Sequence, residues 1–363
     1  MQQEVNQETK KMVKIDLPFI RTQPVVSLHF EKQKRLVTVA RTDSTVEVWA
    51  YPSWSLLSKI HFDLNLVIKK SYYVSLSEGD FIIVVTANAY LFVYDVKKGE
   101  IGQHLYHGGE YAWDSDIFKF EFLEGEEEED MAQEDGTELL LAIGCNDGTS
   151  KIFKMNSKGK LVMTHNSAGY TCECSSVVFA KDGSHYYAGY ADCMVRKITV
   201  KGGKTALAIN TGQNEKNERI WTLGFIEPYY LAVGYSTGKV RFFETTFGTQ
   251  LKEFNDHQGD ILSILVSSDS ERIFASGADS KIVCYNKVTE DLNGFEKVDF
   301  EFSSDERGQS HDVYTMVELH NDLIISAGFS TDICLYKING NRFKDRRRGS
   351  PKEIKLRHIT SQF

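Results

Sequence analysis

Short apolar runs recur along this chain, each broken by a cluster of small polar residues. The first set is Val25–Phe30, then Arg35–Ala40, then the stretch Arg41-Thr-Asp43-Ser-Thr-Val-Glu-Val-Trp49. Runs this short, rich in β-branched and aromatic residues, predict strands and not helices. The second and third members of the set return six more times, at 81–86 and 87–94, 139–144 and 145–153, 185–190 and 191–198, 230–234 and 235–243, 272–277 and 278–285, and 323–328 and 329–336. Each pair is joined by a turn built on one small polar residue: Asp43, Asn88, Asp147, Asp192, Thr237, Asp279 and Ser330. Asp or Asn followed by Gly or Ser bonds its own backbone and tolerates the left-handed region, as a tight hairpin requires.

The turn residues are spaced by 45, 59, 45, 45, 42 and 51 positions. An acidic insertion of about a dozen residues in the third unit accounts for the 59. Strand-rich repeats of about 40–45 residues are the signature of WD40 propeller blades, and seven of them close one ring. The expectation is therefore an all-β, seven-bladed WD40 β-propeller. The third strands end on aromatics that fill the space between blades. The last unit has three clear strands and only a weak fourth, while Met12–Phe19 is a spare strand ahead of unit one; it is expected to supply the outer strand of the last blade, with Pro18 tolerated at an edge. The expected organisation is a disordered N-terminus at 1–11, the propeller at 12–338 with an acidic insertion at 124–136, and a basic C-terminal tail at 339–363.

Charge changes this picture at two places. The net charge is −9, but eight acidic and no basic residues lie between Glu124 and Asp135, so the rest of the chain is almost neutral. Such a stretch cannot bury apolar area and reads as a solvated excursion between the first two strands of the third blade. The tail has the opposite sign, and Lys344, Arg346, Arg347 and Arg348 are the candidate RNA-binding residues because adjacent guanidiniums contact phosphate. A nuclear address and a merely solvated end are the other readings of that tail. No run of about 18 apolar residues exists, so no spanning helix is expected. The opening residues carry no apolar signal region, and the six cysteines read as reduced thiols.

Candidate chemistry is sparse. Phosphate-binding, zinc-protease and nucleophile-elbow motifs are absent from the sequence. His257, Gln258, Gly259 and Asp260, and the pair His311 and Asp312, retain parts of a His/Asp pairing at blade starts, and structural hydrogen bonding is the expected role. Cys172 and Cys174, with Cys193 and His185 following, lack the paired spacing of a zinc site and read as buried or half-buried thiols. No cofactor, metal or catalytic residue is assigned. The alternative of an enzyme using the central channel would be favoured by three converging ionisable side chains there with shifted pKa values.

The blade sequences resemble one WD-repeat family, that of Cirhin and its fungal counterpart, the Utp-four protein of the small-subunit processome. The resemblance rests on Leu36–Trp49 followed by Ser53-Trp54-Ser-Leu-Leu, on Ile220-Trp221, Gly234–Phe243 and Phe247–Leu251, on Ala278–Tyr285, and on Ser310–Val313. It covers about residues 12 to 338, a single ring where family members have two. It implies a non-catalytic nuclear and nucleolar scaffold acting in pre-ribosomal RNA processing and small-subunit biogenesis. Its implied partners are UtpA-type processome proteins and pre-ribosomal RNA, the latter through the basic tail, with no membrane contact. The alternative is a WD40 adaptor of another complex, a ubiquitin ligase receptor or a signalling scaffold.

Overall fold

The computed structural model describes residues 13–15, 23–63, 65–120, 136–212, 218–292, 295–307, 309–320, 323–339 and 355–358. Twenty-nine strands, β1–β29, make up its regular structure. After β1 (Val13–Ile15) the strands fall into sevenfold order, six blades being four-stranded antiparallel sheets and the seventh a five-stranded one, each running outward from a central channel. Blade 1 holds β2 (Val25–Glu31), β3 (Leu36–Arg41), β4 (Thr45–Ala50) and β5 (Ser55–His61). Blade 2 holds β6 (Ile68–Leu76), β7 (Gly79–Thr86), β8 (Tyr90–Asp95) and β9 (Glu100–Tyr106). In blade 3 they are β10 (Ala112–Lys119), β11 (Thr137–Cys145), β12 (Ser150–Asn156) and β13 (Leu161–Asn166), and in blade 4 β14 (Cys174–Phe179), β15 (His185–Tyr190), β16 (Met194–Thr199) and β17 (Thr205–Asn210). Blade 5 has β18 (Ile220–Ile226), β19 (Tyr230–Tyr235), β20 (Val240–Glu244) and β21 (Gln250–Phe254). Blade 6 ends in a long ribbon: β22 (Ile261–Val266), β23 (Arg272–Gly277), β24 (Lys281–Leu292) and β25 (Phe295–Arg307). Blade 7 has β26 (Val313–His320), β27 (Leu323–Gly328) and β28 (Ile333–Asn339).

The expected closing strand is present. β1 pairs antiparallel with β28, Lys14 opposite Cys334. One feature differs from the sequence expectation: the tail contributes a second short strand, β29 (Lys355–His358), which pairs with the end of β28, Tyr336 opposite His358. The outer position of blade 7 is thus shared by the two ends of the chain.

Second strands are apolar on both faces because neighbouring blades cover both. β3 and β23 are buried along their whole length. The core clusters straddle seams: one joins blade 1 to blade 7 through Val25, Trp49, Ile325 and Ala327, another joins blades 5 and 6 through Phe242, Ile261 and Tyr285. The glycines at 144, 189 and 234 recur where one blade meets the next. A Cβ on Gly189 would stand 2.8 Å from the Ile220 side chain, and one on Gly234 would stand 2.6 Å from Ile261. Close approach of adjacent blades therefore demands glycine there.

The turns behave as the sequence suggested, with one refinement. The left-handed residue is the one after the small polar residue, at Ser44, Ala89, Gly148, Cys193, Gly238 and Ser280. Asp147 shows why the polar residue precedes it: its Oδ1 accepts from the Thr149 amide at 3.0 Å and from the Thr149 hydroxyl at 2.6 Å.

Candidate interaction surfaces of the ring

All seven innermost strands carry a β-bulge at the same register, between Val25 and Ser27, Ile68 and Lys70, Ala112 and Asp114, Cys174 and Ser176, Ile220 and Thr222, Ile261 and Ser263, and Val313 and Thr315. A bulge re-aims the side chains around it. The bulged residues Val26, Lys69, Trp113, Ser175, Trp221, Leu262 and Tyr314 all line the central channel, a cavity of about 790 Å³. Six blades so contribute one side chain to the channel mouth, while in blade 4 the buried Ser175 hydroxyl turns instead to the Ile220 carbonyl at 2.6 Å. On the side of blades 2 to 5 the mouth is an aromatic and cationic shelf. The Trp113 ring lies 4.8 Å from Tyr111 and 5.8 Å from Trp221. Lys69 Nζ sits 4.8 Å from the Tyr111 ring centre, and the Arg219 guanidinium 5.4 Å from that of Trp221.

One step deeper, five blades place Ser27, Ser176, Thr222, Ser263 and Thr315, while blades 2 and 3 place Lys70 and Asp114. These two form an ion pair at 2.8 Å. Lys70, Asp114 and Asp116 thus converge, the very pattern a catalytic channel would need, but the carboxylates are engaged in joining blades. Asp114 Oδ2 accepts from the Ser176 hydroxyl at 2.8 Å and the Val177 amide at 3.1 Å; Asp116 Oδ2 accepts from the Phe179 amide at 2.9 Å. Other seams use the same device with neutral groups. The Leu28 amide donates to Thr315 Oγ1 at 3.2 Å across the closing seam, the Ser71 amide to Ser27 Oγ at 3.3 Å, and the Leu223 amide to Ser176 Oγ at 3.1 Å.

Burial pushes the Asp116 carboxyl up to about 6, against the opposing pull of the Phe179 amide and Lys70. A carboxyl whose folded pKa exceeds its unfolded value stabilises the fold below the unfolded value and withdraws that contribution as pH rises through the folded one. The parent protein is therefore expected to lose of order 1 kcal/mol between about pH 4 and pH 6 through this group. Asp116→Asn keeps an acceptor for the Phe179 amide and should lack that component; parallel urea titrations at several pH values would show it.

Blade-start polar residues take varied forms. His257 Nδ1 lies 2.9 Å from Asp279 Oδ1, and the Gln258 amide donates to Asp279 Oδ2 at 3.0 Å, so His257 has the structural role expected of it but its partner is the turn residue Asp279 and not the nearby Asp260. Burial opposes ionisation of Asp279, yet the His257 and backbone donors hold its carboxyl down at about 2. His311 does not take the corresponding place in blade 7. It is exposed and stacks edge-on against Phe329, while Gln309 accepts from Ser330 Oγ at 3.0 Å and donates to Ser326 Oγ at 2.8 Å. Blade 5, without a histidine, buries an ion pair between Arg241 and Glu218 at 2.8 Å, which sequence reading missed. The Cys172 and Cys174 side chains pack on one cluster between blades 3 and 4. Burial raises the Cys193 thiol to about 11, and its Sγ donates to the Glu218 carbonyl at 3.2 Å. Among the described residues no group of three or more His, Cys, Asp or Glu is placed to hold a metal ion.

Residues 248–286, from just before the fourth strand of blade 5 to the middle of the third strand of blade 6, match the family model described as WD domain, G-beta repeat. The chain is a seven-bladed β-propeller that carries a WD40 repeat. Along 309 residues, 84% of its length, this WD40 propeller is 23% identical to the human U3 small nucleolar RNA-associated protein 4 homolog, of which it covers 42%. It is 24% identical over 216 residues to U3 small nucleolar RNA-associated protein 4 of Schizosaccharomyces pombe, covering 57% of the chain and 29% of that protein. WD repeat-containing protein 55 of Arabidopsis thaliana is 25% identical over 167 residues, 46% of the chain and 45% of the relative. The propeller spans less than half the length of each of these relatives. The candidate RNA-binding residues Lys344, Arg346, Arg347 and Arg348 lie outside the described residues, as do 1–11 and the acidic run Glu124–Asp135.

Proposed function

We propose that this WD40 propeller is a non-catalytic scaffold of the small-subunit processome. In this reading it serves pre-ribosomal RNA processing in the nucleolus by docking processome proteins on its faces, with RNA contacted by the tail residues Lys344, Arg346, Arg347 and Arg348. The observation that carries the reading is the distant similarity to U3 small nucleolar RNA-associated proteins along 84% of the chain. Two features of the ring support a docking role. Its channel carboxylates are committed to holding blades together. Its mouth offers half-buried aromatic side chains beside cations, the kind of composition that anchors partner segments.

The experiment is affinity purification of the tagged chain from growing cells. Enrichment of U3 RNA and processome proteins is the expected result. Recovery of ubiquitin ligase or signalling subunits without them would favour the adaptor reading and defeat this one.

A further inference from the structure

Antiparallel order sorts the connections of each blade onto two faces. Loops between blades and the turns joining second to third strands lie on one face, here the upper; the remaining turns lie on the lower. The two faces differ in charge. The upper loops carry Asp43, Asp63, Glu110, Glu173, Asp192 and Asp260. On the lower face three consecutive blades place two lysines each in the turn before the outermost strand: Lys97 and Lys98 in blade 2, Lys158 and Lys160 in blade 3, Lys201 and Lys204 in blade 4. All six are exposed. The first turn of blade 1, with Lys32, Lys34 and Arg35, and Lys181 in blade 4 extend the arc. Among the described residues of these blades' lower turns, the acidic side chains are Glu78 and Asp182; at neighbouring strand ends and turns Asp95 pairs with Lys98 at 3.0 Å, Asp80 with Lys34, and Glu227 of blade 5 with Lys181. A cavity of about 210 Å³ between blades 3 and 4 lies within the arc, lined by Lys154, Lys201 and His165.

We infer that the lower face of blades 1 to 4 binds the phosphodiester backbone of RNA. Lysines at turn tips are point charges on long stems with no planar fork, which suits phosphate oxygens at irregular spacing better than one defined carboxylate. They follow one another blade by blade along the rim, so a single strand laid on them meets a cation pair at each blade. Contact of this kind is independent of base sequence and depends on salt through counterion release. The upper loops are mainly acidic and oppose the same ligand, with Lys69 and Arg219 at the channel mouth as the cations on that side, so the lower side is the more favourable of the two. The choice of RNA rests on the functional reading above; the charge geometry stands without it.

The test uses the purified full chain and a labelled oligouridine of about twenty nucleotides, followed by anisotropy. With about five phosphates contacted, a slope near −3.5 implies roughly 100-fold weaker binding on going from about 50 to about 200 mM salt. Changing Lys97, Lys98, Lys158, Lys160, Lys201 and Lys204 to Gln should weaken binding at least tenfold and flatten that slope, with an unchanged melting curve showing that the ring is intact. A second variant, Arg346→Glu with Arg347→Glu and Arg348→Glu, separates the tail: it should leave most of the slope in place. A chain lacking Glu124–Asp135, a run that joins the chain between Phe120 and Gly136 on this same face, should bind at least as tightly. Parent-like binding by the six-lysine variant, loss of binding in the tail variant alone, or weaker binding without the acidic run would each overturn the inference. Because the assay contains no processome component, its failure leaves the purification result standing, and the reverse also holds.

Discussion

Arg241→Ala is expected to destabilise the propeller by about 3–5 kcal/mol, seen as a lower urea midpoint with the m-value retained. The Arg241 guanidinium is fully buried, with Nη1 2.8 Å and Nη2 3.0 Å from the two Glu218 oxygens. Its Nε donates to Glu253 Oε2 at 2.6 Å, its Nη1 also to the Thr211 carbonyl at 3.0 Å, and its plane covers the Tyr235 ring at 4.3 Å. Alanine would strand the Glu218 carboxylate, whose side chain is 1% exposed, between blades 4 and 5 with the Thr237 hydroxyl as a remaining donor. The cost comes from that orphaned charge more than from lost attraction, which suggests the control. Arg241→Met combined with Glu218→Leu removes both charges and should recover much of the loss; a double variant as unstable as the single one would mean that packing, and not the stranded carboxylate, sets the cost.

The neighbouring residue points the other way along the pleat and secures a different seam. Phe242 is fully buried between blades 5 and 6, stacked on Phe300 with ring centres 4.1 Å apart and planes at 14°, and in edge contact with Phe254 and Tyr285. Phe300 belongs to the long ribbon of blade 6, so this stack holds the ribbon against blade 5. Phe242→Ala should cost about 3–5 kcal/mol through lost transfer energy and the cavity left behind. Hydrogen exchange distinguishes the two variants: faster exchange should centre on blades 4 and 5 for Arg241→Ala, and on blades 5 and 6, ribbon included, for Phe242→Ala. Uniform acceleration around the ring in both would contradict this assignment of seams.

Much of the fold was legible because the repeat is local. Seven apolar pairs around a small polar turn residue read directly as blades, and a structural hydrogen-bonding role for His257 was legible, although its partner is Asp279, 22 positions on, and not Asp260. Long-range polar substitutions were not legible. Glu218 and Arg241 look like ordinary surface residues until folding buries them as a pair where another blade has His and Asp. His311 misled because histidine was sought by type. Counting back 21 positions from Ser330, close to the 22 that separate Asp279 from His257, reaches Gln309, which does form the bond. The channel was the least readable part. Lys70 and Asp114 are 44 residues apart and unremarkable in sequence; the shared bulge brings them to equivalent positions on adjacent blades, and only the aligned register reveals it.

That shared bulge separates architecture from display. Since the kink recurs whichever residue occupies it (valine, lysine, tryptophan, leucine or tyrosine), six of the rim positions can mutate one at a time with little consequence for folding, the exception being the buried Ser175, whose hydroxyl holds the Ile220 carbonyl. The opening is in effect a dial of six interchangeable pegs, on which new recognition surfaces can be drafted while the wheel beneath keeps its shape.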